Sequence, residues 1–194
     1  MKNLKVPIIE SIDENKLVPE AKTIYRDCIM LVIKHPTLNK YLYLHNKKFG
    51  WNVLVQGGIE PGENPFIAAI REMTEETGYT DIKSITKLDF EMDNVYYAAH
   101  KNQNRYAIIK TFYIELNSLK QTDHETAAEV KFATYQQLER IFGAPFVHHY
   151  YLLGIATGNQ KNVPSKSQSK LGTLKLVNQK VTYRSQQDVP GQAN

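Results

Sequence analysis

The apolar positions along the chain change period several times, and each change marks an element. From Cys28 to Lys34 they are nearly continuous and from Lys40 to His45 they alternate, while Pro36-Thr37-Leu38-Asn39 between them has the composition of a turn, so two strands are expected. Trp51 to Gln56 is a third strand leading into Gly57 and Gly58. Over 64–77 the spacing becomes helical. Phe66, Ile67, Ile70 and Met73 share one side, and Glu72, Glu75 and Glu76 fall within roughly 100° of one another on the other. Such a helix is expected to bury the first group and turn its acids outward. Beyond it, Ile82 to Met92, Tyr96 to His100 and Ala107 to Leu116 have strand character, and Glu129 to Ala133 follows the loop 117–125 as another strand. Tyr135 to Phe142 and Pro145 to Ala156 have helical spacing, and no internal repeat is present. The order predicts an α/β fold.

The ends of the acidic helix can be placed from local chemistry. Glu63 or Asn64 can cap it, Pro65 belongs in the first turn where its missing N–H costs nothing, and Gly78 supplies the permissive position after the last turn. Gly57, Gly58 and Gly62 with Pro61 make a tight loop whose backbone can approach a phosphate or present a carbonyl to a metal. The acids themselves need explaining. Like charges at i,i+3 and i,i+4 repel, and a helix C-terminus disfavours negative charge. A divalent cation would remove both penalties, and carboxylate with backbone oxygen suits Mg²⁺ or Mn²⁺ rather than zinc.

Gly57, five residues, Glu63, seven residues, then Arg71-Glu72-Met73-x-Glu75-Glu76-x-Gly78-Tyr79 resembles the signature of the Nudix hydrolases over 23 residues, Gly57 to Tyr79. Tyr79 stands where an aliphatic residue is more usual, and Gln56 where many relatives carry proline. The resemblance implies a Nudix-type α/β/α sandwich with a mixed sheet in a single domain. It implies a Mg²⁺- or Mn²⁺-dependent pyrophosphohydrolase acting on a nucleoside diphosphate linked to another group, such as a dinucleoside polyphosphate, a nucleotide sugar or a nucleoside triphosphate. Glu72, Glu75 and Glu76 would be metal ligands with the Gly57 carbonyl, and Glu63 with Arg71 a salt bridge bracing loop against helix. The general base would be Glu72 or a residue of a later loop, where Glu125 is preferred over Asp123 and His124. The competing reading is a Nudix-fold module that binds a ligand or regulates without catalysis.

Composition changes the picture little: 194 residues, 42% hydrophobic and 23% charged, suit one soluble globular core. The expected division is an N-terminal extension 1–22, a hydrolase domain 23–157 and a basic polar tail 158–194. That tail holds six cations against Asp188 alone, a local +5 in a chain of net +4, so the rest lies near −1. Its Asn, Gln, Ser and Lys content reads as a solvated flexible segment or loose edge pairing, with Thr173–Val177 and Lys180–Tyr183 able to form a hairpin. RNA or an acidic partner is the sharper reading of the tail. No membrane-spanning run is present, and a single cysteine, Cys28, reads as a buried structural thiol, so a cytoplasmic setting is expected. A homodimer is left open.

Weaker candidates lie outside the box. Lys101 and Arg105 sit between two strands, where a solvated hairpin tip is the preferred reading and a grip on substrate phosphates the functional alternative. Tyr96 and Tyr97 follow the box at an offset resembling the dinucleoside polyphosphate branch of the family, while the proline associated with ADP-ribose hydrolases is absent. His148 and His149 are adjacent and cannot form a zinc pair on a helix, and Trp51 is expected to be a packed strand residue with base stacking as its alternative.

Overall fold

The structure is a computed structural model that describes residues 6–12, 17–48, 50–124, 127–142, 153, 156–157, 173–175 and 183–184. Its elements are β1 (Val6–Ile12), β2 (Thr23–Lys34), β3 (Tyr41–Asn46), β4 (Trp51–Val53), β5 (Val55–Gly58), α1 (Pro65–Thr77), β6 (Ile82–Ala98), β7 (Gln103–Leu116), β8 (Glu129–Ala133), α2 (Tyr135–Phe142), β9 (Thr173–Lys175) and β10 (Tyr183–Arg184). Pairing is mixed: β1 runs parallel to β6, and β2 antiparallel to β5. The α/β fold with a mixed sheet is the one expected. Its contacts divide into two compact units, one of Cys28–Leu88 with Lys110–Pro164 and one of Met1–Asp27, Asp89–Ile109 and Ser165–Asn194.

The first of these contains the whole Gly57 to Tyr79 segment. Ile29 to Ile33 are all fully buried, as a strand covered on both faces must be, and this is why their run is continuous rather than alternating. β3 pairs with β4 (Leu44 opposite Val53) and with β8 (Leu42 opposite Phe132, Leu44 opposite Val130). One core gathers Ile29, Leu31, Ile33, Leu42, Leu44 and Val55 from these strands, Phe112, Ile114 and Leu116 from β7, and Ala68, Ala69 and Met73 from α1. Two alanines at the contact let the helix lie close to the sheet. Trp51 is on β4 as expected, but it is 52% exposed rather than packed. Cys28 is half-buried.

In the second unit β1 pairs parallel with β6 from Ile8 opposite Glu91 to Ile12 opposite Val95. The stretches expected as separate strands, Ile82 to Met92 and Tyr96 to His100, are one strand ending at Ala98: β1 pairs across the expected gap, and Asp93 within it is buried and accepts a hydrogen bond from the Tyr106 hydroxyl at 2.5 Å. Segment 99–101 is a 3-10 turn closed by Asn102 in a left-handed conformation, φ 47°. The described tail segments β9 and β10 each pair antiparallel with β1, at Glu10 opposite Lys175 and at Val6 opposite Arg184. Of the helix expected over Pro145 to Ala156, only Leu153 and Ala156 are among the described residues, and both are helical. No helix among the described residues is long and apolar enough to cross a membrane.

Candidate active site

The glycine loop joins β5 to α1 through two reciprocal bonds: Glu63 N donates to the Glu60 carbonyl and Glu60 N donates to Glu63 Oε2, both at 2.9 Å. Gly62 has φ 79°, which a side chain would strain. Asn64 is the cap, its Oδ1 accepting from Phe66 N at 2.9 Å, and Pro65 occupies the first helical position. At the far end Gly78 adopts φ 71° and donates to the Thr74 carbonyl at 2.8 Å.

Arg71 stands at the centre of the acidic cluster. Its Nε donates to Glu63 Oε1 (2.9 Å) and its Nη2 to Glu63 Oε2 (3.0 Å), a two-pronged ion pair between helix and loop. Nη2 also donates to the Gly58 carbonyl (2.9 Å), and Nη1 donates to Glu72 Oε1 (2.9 Å) and Glu75 Oε2 (3.1 Å). The bond from Arg71, with that from Glu60 N, holds the Glu63 carboxyl down at about 2. Bonding to Glu63 first, and then to Glu72 and Glu75, raises the Arg71 guanidinium further above its ordinary value. Glu72 moves the other way: burial pushes its carboxyl up against the pull of Arg71, and Glu75 and Glu76 add to the push.

The buried face of α1 is turned by roughly 110° from the one its bulky residues suggested. Phe66, Ile67 and Ile70 are exposed, Ile67 at 57%, although Phe66 also packs edge-on against Phe112; only Met73 of the expected apolar group is buried. The buried arc is Ala68, Ala69, Met73 and Thr77, which spans about 180° of the helix at 100° per residue and takes in the direction of Glu72. The acids therefore do not all face outward. Glu72 is 13% exposed and its carboxylate rests against the α-carbon of Gly57, where any β-carbon would overlap it. The repulsion among the three acids is also partly answered within the chain, since Arg71 bonds two of them.

A divalent cation would find suitable donors here. They are carboxylate and carbonyl oxygens, and the seat on Gly57 holds Glu72 beside the backbone, a cradle that a side chain would fill. Among the described residues no three His, Cys, Asp or Glu side chains are grouped closely enough to hold a metal ion as they stand, and Glu72 and Glu75 share the Nη1 of Arg71. A cation would have to take them from it.

The other candidates fall in different places. Asp123 and His124 are exposed on the loop after β7, and Glu125, the preferred base on that loop, lies outside the described residues, as do His148 and His149. Tyr96, Tyr97, Lys101 and Arg105 belong to the unit that does not contain the box. There the Tyr97 hydroxyl donates to Asn102 Oδ1 at 2.6 Å, and the Gln103 side-chain amide faces the Arg105 guanidinium. Gln121 and Thr122, which bond to the end of α1, were missed from sequence, and the Gly58 carbonyl of the glycine loop is taken by Arg71. Only Gly78, the residue they meet, carried a local signal.

A family model, the NUDIX domain, matches residues 25–152. No curated protein matches the chain in sequence. Among solved structures, the E. coli dihydroneopterin triphosphate pyrophosphohydrolase superposes with a TM-score of 0.54 at 16% identity, covering 68% of this chain and 95% of that one. A C. elegans Ap4A hydrolase binary complex gives 0.52 at 19%, covering 69% and 96%. The NUDIX domain of Shewanella oneidensis NrtR complexed with ADP ribose gives 0.54 at 18%, covering 75% and 94%. At these identities the structures speak for the fold, while the matched domain together with the Gly57 to Tyr79 box identifies the chain as a member of the NUDIX domain family, a Nudix hydrolase.

Proposed function

We propose that this hydrolase cleaves a diphosphate linkage in a nucleoside diphosphate joined to another group, in the presence of Mg²⁺ or Mn²⁺. The observation that carries the reading is the seat of Glu72 on Gly57, with Arg71 fixing Glu63, Glu72 and Glu75 around it. Glu72, Glu75, Glu76 and the Gly57 carbonyl are the ligands this reading assigns. A divalent cation held there supplies charge neutralisation at the phosphoryl oxygens and an acidified water. The chain's own part is placement: the Glu63–Arg71 pair ties the loop to the helix, and burial raises the proton affinity of Glu72, the direction a general base requires. Glu72 is thus the base of choice within the box, and Glu125 the candidate on the later loop. The structural relatives include a triphosphate pyrophosphohydrolase, an Ap4A hydrolase and an ADP-ribose complex, which supports a nucleotide-like substrate.

We assign the activity to 23–157, in a cytoplasmic setting consistent with the single cysteine. The test is product release from dinucleoside polyphosphates, nucleotide sugars, ADP-ribose and nucleoside triphosphates, each with Mg²⁺, with Mn²⁺ and with excess EDTA. Turnover should require metal, and Glu75→Gln and Glu76→Gln should each lower it by about 10²-fold or more, since the stabilisation at stake is several kcal/mol. Full turnover in EDTA would overturn the assignment. Binding without turnover on every compound would select the non-catalytic reading instead.

A further inference from the structure

The loop after β7 is fastened to the end of α1 by side chains no part of the box supplies. It leaves β7 with Asn117 N donating to the Asp81 carbonyl (2.9 Å), while the Asp81 carboxylate accepts from Ser118 Oγ (2.6 Å) and Asn117 Nδ2 (3.2 Å). Three residues further on, Gln121 Nε2 donates to the Thr77 carbonyl (2.5 Å), and Gln121 pairs with Tyr79 in an antiparallel bridge. Thr122 donates to the Gly78 carbonyl twice, from its backbone N (2.8 Å) and from Oγ1 (3.1 Å). Gly78 allows this approach: a β-carbon there would overlap the Thr122 carbonyl oxygen.

The chemistry of the contact is specific to a helix end. The last carbonyls of α1 have no partner within the helix and carry its partial negative charge. Glu75 and Glu76 sit on that same last turn. Donors aimed at the Thr77 and Gly78 carbonyls both satisfy those oxygens and reduce the charge the two acids must face. Asp123 and His124 follow Thr122 directly on the same loop, both exposed.

We propose that Gln121 and Thr122 are positioning residues of the hydrolytic site, a clasp that sets the direction of Glu75 and Glu76 and holds Asp123 and His124 in register with the same helical turn. The inference rests on the reading of Glu75 and Glu76 as cation ligands. A cap that merely stabilised the helix would change melting and nothing else.

The test is Mn²⁺ binding to the full chain without substrate, read by calorimetry and by water-proton relaxation well below the melting temperature. Gln121→Ala should weaken Mn²⁺ by about 10-fold, as losses of groups that orient metal ligands do. Thr122→Val, which keeps the backbone N–H but loses the hydroxyl bond, should weaken it less, and Thr122→Ser should restore it. In turnover, Gln121→Ala should lower kcat with little change in KM. Gln121→Ala that melts earlier in EDTA yet binds Mn²⁺ like the wild type overturns the clasp and leaves the metal site standing. A wild-type chain that binds no Mn²⁺ overturns the reading beneath it, and the inference with it.

Discussion

The carboxylate of Glu72 rests on the α-carbon of Gly57, one residue before the carbonyl that Arg71 also holds. Only glycine leaves that space. Gly57→Ala should therefore expel Glu72 from its seat, and since misplacing a reacting group by about 1 Å costs on the order of 10²-fold, turnover should fall by at least that much. Steady-state kinetics beside a circular dichroism spectrum would check it. A folded variant with unchanged turnover would show that the seat is dispensable.

The three acids should differ in what they do to stability. Arg71 bonds Glu72 and Glu75, and its bonds do not extend to Glu76. In EDTA, Glu76→Gln should melt at the wild-type temperature or slightly above it, because a like-charge repulsion of a few tenths of a kcal/mol is relieved. Glu75→Gln loses a half-exposed ion pair and should be less stable by about 0.3–0.5 kcal/mol. Added Mg²⁺ should stabilise the wild type more than either variant. A Glu76→Gln that is the less stable of the two in EDTA would mean Glu76 has a structural partner of its own.

Acid should loosen the loop through Glu63. Its carboxyl titrates at about 2 in the fold against an ordinary 4.5, so on acidification the unfolded chain takes up the proton first. The stabilisation is complete above pH 4.5 and is lost as pH falls towards about 2. Asp81, Glu115 and Glu129 act with the same sign, whereas Glu72, raised by burial, gains protons more readily in the fold and returns some stability. Urea midpoints measured against pH should show a shallower acid slope for Glu63→Gln than for the wild type. Identical slopes would sink the assignment.

The helix start gives a simpler case. Asn64 accepts from Phe66 N, and Asn64→Ala leaves that donor without a side-chain partner at a cost of about 1 kcal/mol. Denaturant unfolding should show a lower midpoint with an unchanged slope; an unaltered midpoint would mean that water replaces the cap fully.

How much of this was legible in sequence depends on the range of the interaction. The limits of α1 were readable because Asn64, Pro65 and Gly78 act on their neighbours, and β8 and α2 begin and end where their periodicity does. The break expected near Asp93 is absent: β1 pairs across it and a tyrosine 13 residues away bonds the buried carboxylate, and no local pattern reports either. The facing of α1 was misread for a related reason. Phe66, Ile67 and Ile70 carry most of the hydrophobicity, but Ala68 and Ala69 carry the contact, and closeness to a sheet selects for small residues. The Gln121–Thr77 bond spans 44 residues and lay beyond any motif.

Arg71 has one more implication, for recognition. A guanidinium offers five N–H hydrogens, and in this fold Glu63, Glu72, Glu75 and the Gly58 carbonyl engage all five. As long as those bonds hold, it is no receptor for an incoming anion. Arg71 is also the only lysine or arginine between Gly57 and Tyr79, so with these bonds in place the signature offers a polyphosphate no side-chain cation, and under the proposed function discrimination between substrates is expected from parts of the chain outside it.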